Sequence, residues 1–158
     1  MQSFDELKNI VARLRAEDGC PWDRAQTHAS LKAGCIEEAT EVIGGVNVLE
    51  ATGEADNLKE ELGDLILQAV MHAQIAEEEG LFTLDDVLRG LNEKLIRRHP
   101  HVFGDTHVNS AEEALSSWSA VKAKEKEGKT DVTAYLPEAF REAKELIDRA
   151  RVRKGLWV

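Results

Sequence analysis

The sequence predicts an all-α bundle, on three observations. Phe, Trp and Tyr together make up 5% of the chain while Ala and Leu are abundant, a balance that favours packed helices over sheets. Apolar residues return at three- and four-residue intervals over several long stretches, the period of a helix with one buried face. No stretch alternates apolar and polar residues for long enough to make a convincing strand, and no internal repeat is visible. At 158 residues the chain reads as a single domain, 1–158, long enough to bury a real core.

Six helices follow in order. Ser3-Phe4-Asp5-Glu6 has the form of a capping box and opens a helix whose apolar positions are Leu7, Ile10, Val11 and Leu14. That helix is expected to stop near Asp18-Gly19, leaving Cys20-Pro21-Trp22-Asp23 as a rigid loop with Trp22 as a structural plug. A long helix from about Ser30 to Glu50 carries Leu31, Cys35, Ala39, Val42, Val46 and Leu49 along one broad stripe. The breaker Ala51-Thr52-Gly53-Glu54-Ala55-Asp56-Asn57 suits folding the next helix back on it. This second long helix, about Asp56 to Glu79, is expected to turn Leu58, Leu62, Leu65, Ile66, Ala69 and Ala73 inward, with Gly80 closing it.

Thr83-Leu84-Asp85-Asp86 caps a helix containing Val87, Leu88, Leu91, Leu95 and Ile96. It ends at Arg97-Arg98-His99-Pro100-His101, because the residue before a proline is pushed out of the helical region. Ser110-Ala111-Glu112-Glu113 is a second capping box, for a helix reaching about Glu127. Residues 128–136 read as a flexible polar linker, and Pro137 suits the first position of a last helix. The basic tail from Arg149 ends in Gly155-Leu156-Trp157-Val158, either a natural terminus or the edge of a longer protein.

Four acids carry the chemistry. Glu38 and Glu41 are three apart, as are Glu61 and Asp64, so each pair projects from one helix face. Facing one another across a helix hairpin, four carboxylates repel unless a cation lies between them. The bland alternative is a solvated acidic face, the fate of most of the 30 acids in the chain. Three details favour a metal. Gly34, Gly44 and Gly45 accompany the first pair and Gly63 the second, and a helical glycine costs roughly 1 kcal/mol against alanine, which suggests close approach of the helices. Both pairs sit in the most apolar helices, where an unpaired carboxylate is costly. Only Lys32 and Lys59 lie nearby in sequence to neutralise them.

All-oxygen ligation suits magnesium, with manganese able to substitute, rather than zinc. No histidine has an acid three residues before it, which argues against a di-iron bundle. His99, His101 and His107 could imitate a zinc site, although a histidine-rich loop more often serves capping and hydrogen bonding. Cys20 and Cys35, with no base or cation pattern beside them, read as reduced packing residues. A formal charge of −10 argues against a nucleic acid polymer as partner. The absence of a signal-peptide pattern at Met1–Glu6, and of an apolar run long enough for a membrane span, makes cytoplasm the expected compartment with no membrane partner.

Glu37-Glu38-Ala39-Thr40-Glu41 followed by Glu61-Leu62-Gly63-Asp64 resembles the EExxE and ExxD signature of the MazG nucleotide pyrophosphohydrolases. Gly19-Cys20-Pro21-Trp22-Asp23 with Gln26-Thr27-His28, Arg97 through Phe103, and Trp118 with Lys122 agree with it, so the resemblance runs from Leu7 to Trp157. It implies a magnesium-dependent enzyme that splits nucleoside triphosphates into monophosphate and pyrophosphate. The implied fold is an all-α homodimer around a four-helix bundle, with additional helices. Glu38, Glu41, Glu61 and Asp64 would be the metal ligands, and Glu37 would assist in catalysis by orienting the attacking water. Lys94 and Arg98 match positions associated with the phosphates, Trp118 and Lys122 those near the nucleotide. The chain looks like the first of two tandem domains found in several members. A basic position sometimes found one turn before the first ligand is Gly34 here, so that phosphate contact must come from elsewhere.

From the residues alone, Lys94 and Arg98 share a helix face and so can reach one triphosphate, or simply complement the helix dipole. Trp118 and Lys122, also four apart, can stack a base and meet a phosphate, or belong to the core. Broad nucleotide clearing is the expected role, since a lone tryptophan gives a stacking surface without hydrogen-bond selectivity. The competing expectation is a non-catalytic, nucleotide-binding helical dimer acting as a regulator.

Overall fold

The computed structural model describes residues 2–125 and 132–156. Among these there is no strand. The helices are α1 (Gln2–Arg15), α2 (Pro21–Arg24), α3 (Lys32–Thr52), α4 (Asp56–Glu78), α5 (Leu84–Arg98), α6 (Pro100–Phe103), α7 (Ala111–Glu125) and α8 (Leu136–Arg153), with a 3-10 turn at Val132–Tyr135. The all-α expectation holds, with two short helices added. Both begin at a proline, Pro21 and Pro100, whose fixed φ suits a first turn and whose missing N–H has no intrahelical partner to lose. The expected loop at Cys20–Asp23 is therefore partly helical. Trp22 is 67% exposed there, so it is no plug within this chain.

The other limits move by a few residues. Ser3 lies inside α1 rather than capping it, and the helix gives way to turns after Arg15. Half of the second capping box forms: the Glu113 N–H donates to Ser110 Oγ at 3.2 Å, while the Glu113 carboxylate accepts from the Asn109 N–H at 2.7 Å. Of the expected linker, residues 132–135 form a 3-10 turn and Leu136 opens α8. The remainder, 128–131, lies outside the described residues, as do the expected end of α7 at Glu127 and Trp157 and Val158 of the tail.

Two compact units divide the chain, Met1–Leu84 with Pro137–Val158, and Asp85–Leu136. In the first, α3 and α4 form an antiparallel hairpin that turns at Gly53, a left-handed C-cap with φ +80°. Contacts step down one helix as they step up the other: Gly45 meets Leu58, Gly34 meets Gln68, and Cys35 meets His72. Gly45 allows the closest approach, since a Cβ there would lie 2.8 Å from Leu58 Cα. Gly44 and Gly63 have open space where a Cβ would go, so the close-approach reading applies to neither.

The core of this unit sits at the far end of the hairpin from the turn: Val11, Leu31, Val70, Met71, Ala73, Ile75, Ala76 and Leu84 are buried. Arg15 ties α1 down there. Its guanidinium, with the side chain 6% exposed, pairs with Glu78 and donates to the carbonyls of Asp23 and Gln26. Nearer the turn, the expected inward face of α4 is open within this chain, with Leu62 and Ile66 exposed, together with Ala69. Ile43 and Val46 of α3 are exposed too.

Candidate functional site

The hairpin brings three of the four acids together. One carboxylate oxygen from each of Glu38, Glu61 and Asp64 lies within 4.8 Å of the other two, a spacing that can hold one metal ion. The cause is the register fixed at Gly45: one and two turns closer to the core on α3 stand Glu41 and Glu38, opposite Glu61 and Asp64 on α4. All four are partly exposed, and among the described residues no cation pairs with Glu38, Glu61 or Asp64.

The electrostatics fit a cation. Partial burial pushes the Glu38 carboxyl above its ordinary pKa, and the nearby charges of Glu41, Asp64, Glu37 and Glu61 push it further. Glu61 is raised in the same direction, by desolvation first and then by Glu41, Glu60 and Asp64. Carboxylates that raise one another's pKa are short of positive charge. Their all-oxygen donor set, open to solvent on one side, is what a hard divalent ion uses. No group containing a histidine converges in this way among the described residues.

Glu41, whose carboxylate also presses on Glu38 and Glu61, and Glu37 differ from these three in having cations of their own. Lys154 Nζ pairs with Glu41 Oε1 and lies 3.3 Å from Glu37 Oε1, while the Arg153 guanidinium pairs with Glu37 Oε2. Arg153 holds the Glu37 carboxyl below the usual carboxylate range. The expectation that only Lys32 and Lys59 lie near the acids is corrected here. Lys32 is bound to Glu142 and Lys59 to Asp56, and the neutralising cations arrive from the end of α8.

Beneath the cluster, Cys35 Sγ lies 3.4 Å from His72 Nε2, and His72 Nδ1 lies 2.7 Å from His28 Nδ1. Sequence reading left Cys35 without a base because its partner is on the other helix. Burial pushes the Cys35 thiol up and the His72 imidazole down, so this is a neutral thiol beside a neutral ring rather than an activated nucleophile.

In the second unit, Arg98 and Trp118 come together, a contact that the sequence reading, which paired Lys94 with Arg98 and Trp118 with Lys122, did not include. The Arg98 guanidinium lies 5.1 Å from the Trp118 ring centroid and Lys122 Nζ 4.7 Å from it. Glu125, which sequence reasoning missed, grips Arg98 through Nε and Nη2 at 2.9 and 2.7 Å and takes Arg97 Nε on its other oxygen at 2.6 Å. The guanidinium is thereby held in place, and its charge is already partnered. Lys94 is half-buried on α5.

Residues 26–103 match the family model of the MazG nucleotide pyrophosphohydrolase domain, a span that includes all of the hairpin and its acids. The chain belongs to the MazG family. It is 53% identical over 123 residues to the nucleoside triphosphate pyrophosphohydrolase/pyrophosphatase MazG of Thermotoga maritima, covering 78% of this chain and 45% of that protein. It is 39% identical over 151 residues to the nucleoside triphosphate pyrophosphohydrolase of Escherichia coli, covering 91% of this chain and 56% of that protein. A Mycobacterium tuberculosis protein of the same name is 41% identical over 156 residues, covering 95% of this chain and 46% of its own length. The chain thus spans about half the length of these MazG relatives.

Proposed function

We propose that this MazG chain hydrolyses nucleoside triphosphates to nucleoside monophosphate and pyrophosphate, as a magnesium-dependent hydrolase acting on acid anhydrides. The reading is carried by the three converging, unneutralised carboxylates of Glu38, Glu61 and Asp64 in a chain with this family membership. These residues would hold magnesium, or manganese in its place, with Glu41 as a fourth ligand. A bound divalent ion supplies charge neutralisation on the phosphates and acidifies a water. Glu37 would assist by orienting the attacking water, once its carboxylate gives up part of its pairing with Arg153 and Lys154. Lys94 and Arg98 meet phosphate oxygens, while Trp118 and Lys122 bind the nucleoside end. A tryptophan face selects poorly among bases, which supports broad clearing of the nucleotide pool, in the cytoplasm.

The protein works as a homodimer in this reading. Ile43, Val46, Leu62 and Ile66 leave an open apolar face on both helices of the hairpin, and packing against a second copy would complete a four-helix bundle. Among the described residues no helix is long and apolar enough to cross a membrane.

The products give the test. With magnesium and the common nucleoside triphosphates, monophosphate and pyrophosphate are expected in equal amounts. Diphosphate with orthophosphate would overturn the reaction assigned here, and tight binding without turnover at any divalent ion would turn the reading toward a regulatory dimer.

A further inference from the structure

The acids of α3 are short of cations along the hairpin itself. Lys32, the one basic residue of α3, is tied to Glu142, and Lys59 of α4 is tied to Asp56 near the turn. Positive charge reaches Glu37 and Glu41 from the end of α8, where Arg153 and the following Lys154 lie on them. Between α8 and α3, Ile147, Ala150 and Arg151 of α8 and Leu156 beyond its end line a cleft with Ile36, Thr40 and Gly44 of α3. That packing sets the ammonium and the guanidinium beside the carboxylates rather than leaving them to roam in solvent. Lys154 is 39% exposed and Glu41 29%, so opening the contact with nothing in its place would leave the Glu41 charge partly buried and unpaired.

We propose that Arg153 and Lys154 are triphosphate-binding residues, held on Glu37 and Glu41 while the metal site is empty and passed to the phosphates when a divalent ion takes Glu41. The inference rests on the metal-site reading above. A divalent ion that took Glu41 would compete with Lys154, which sits on Glu41 Oε1, so binding the ion would release the ammonium within the site. A nucleoside triphosphate brings several negative charges to that place, and a cation already fixed beside it is a better partner than one drawn from solvent.

Calorimetric titration separates the two halves of the exchange. Manganese titrated into Lys154→Ala is expected to bind several-fold more tightly than to the wild-type protein, since its competitor is gone. A triphosphate with a methylene bridge between the α and β phosphorus atoms, titrated with manganese present, is expected to bind the Arg153→Ala/Lys154→Ala protein roughly tenfold more weakly, the scale of one charge-assisted hydrogen bond. Lys154→Arg should restore most of the analogue affinity. Unchanged manganese affinity in Lys154→Ala, or unchanged analogue affinity in the double variant, would overturn the exchange. Asp64→Ala marks the other failure: if the wild-type protein binds manganese no better than Asp64→Ala does, the metal-site reading falls, and the exchange falls with it.

Discussion

Replacing Asp64 with Asn is expected to abolish turnover and, in the absence of metal, to make the protein more stable. Two effects of opposite sign come from one carboxylate. As a metal ligand, Asp64 is one of three whose oxygens converge, and its loss should lower kcat by more than about a hundredfold, the upper range for groups that merely support a ligand. Without a metal, the same charge raises the pKa values of Glu38 and Glu61. Removing it relieves repulsion, so the melting temperature in chelator should rise by a few degrees. Adding magnesium should reverse the order. At a hundredfold excess over Kd the wild-type protein gains about 2.7 kcal/mol, or roughly 5–10 °C at this chain length, while Asp64→Asn gains little. Retained turnover, or an equal response of both proteins to magnesium, would remove Asp64 from the site.

The pH dependence of that stability difference has a definite sign. Glu38 and Glu61 have folded-state pKa values above their ordinary ones. A raised carboxyl binds its proton more tightly in the folded state, so its contribution favours folding most below the unfolded pKa and is lost as pH rises through the folded value. The repulsion that Asp64→Asn relieves is therefore present at neutral pH and fades as the solution becomes acidic enough to protonate Glu38 and Glu61. Metal-free melting of the two proteins should converge on going from neutral to acid. A gap that widened instead would mean that the cluster is not repulsive.

What the sequence disclosed follows the range over which each interaction acts. Helix periodicity, proline and glycine signals and acid spacing are local, so α3, α4 and the convergence of Glu38, Glu61 and Asp64 could be read without a structure. Helices α2 and α6 are too short for periodicity to register, and proline at their first position was the available cue. The partners of Glu37 and Glu41 lie more than a hundred residues along the chain, and no spacing rule reaches that far. His72 beside Cys35 escaped notice for the same reason, as did Glu125 on Arg98. The open face at Leu62 and Ile66 is a different case. The helical pattern identified an apolar face correctly, but a pattern reports that a face is apolar, not whether this chain or a second one covers it.

Two adjacent glycines should respond to alanine with opposite signs. In a helix interior the exchange itself is favourable by up to ~1 kcal/mol. At Gly44 nothing stands within 4 Å of the new methyl group, so Gly44→Ala should raise the melting temperature or leave it unchanged. At Gly45 the methyl would lie 2.8 Å from Leu58 Cα and 2.9 Å from its nitrogen, backbone that cannot swing aside. The helices must separate, and overpacking of this kind typically costs about 1–3 kcal/mol, roughly 2–12 °C for a chain of this length. Function should suffer more than stability. Leu58 stands one turn before Glu61, and Gly45 one turn after Glu41, so a wedge there moves the two acidic faces apart, and a displacement near 1 Å can cost on the order of a hundredfold in rate. Magnesium affinity and kcat should both fall in Gly45→Ala and be kept in Gly44→Ala, as measured by calorimetry and pyrophosphate release. If Gly45→Ala melts and turns over like the wild type, the glycine contact does not set the spacing of the acids. A loss of stability in Gly44→Ala would show instead that its side of α3 is covered in the working assembly.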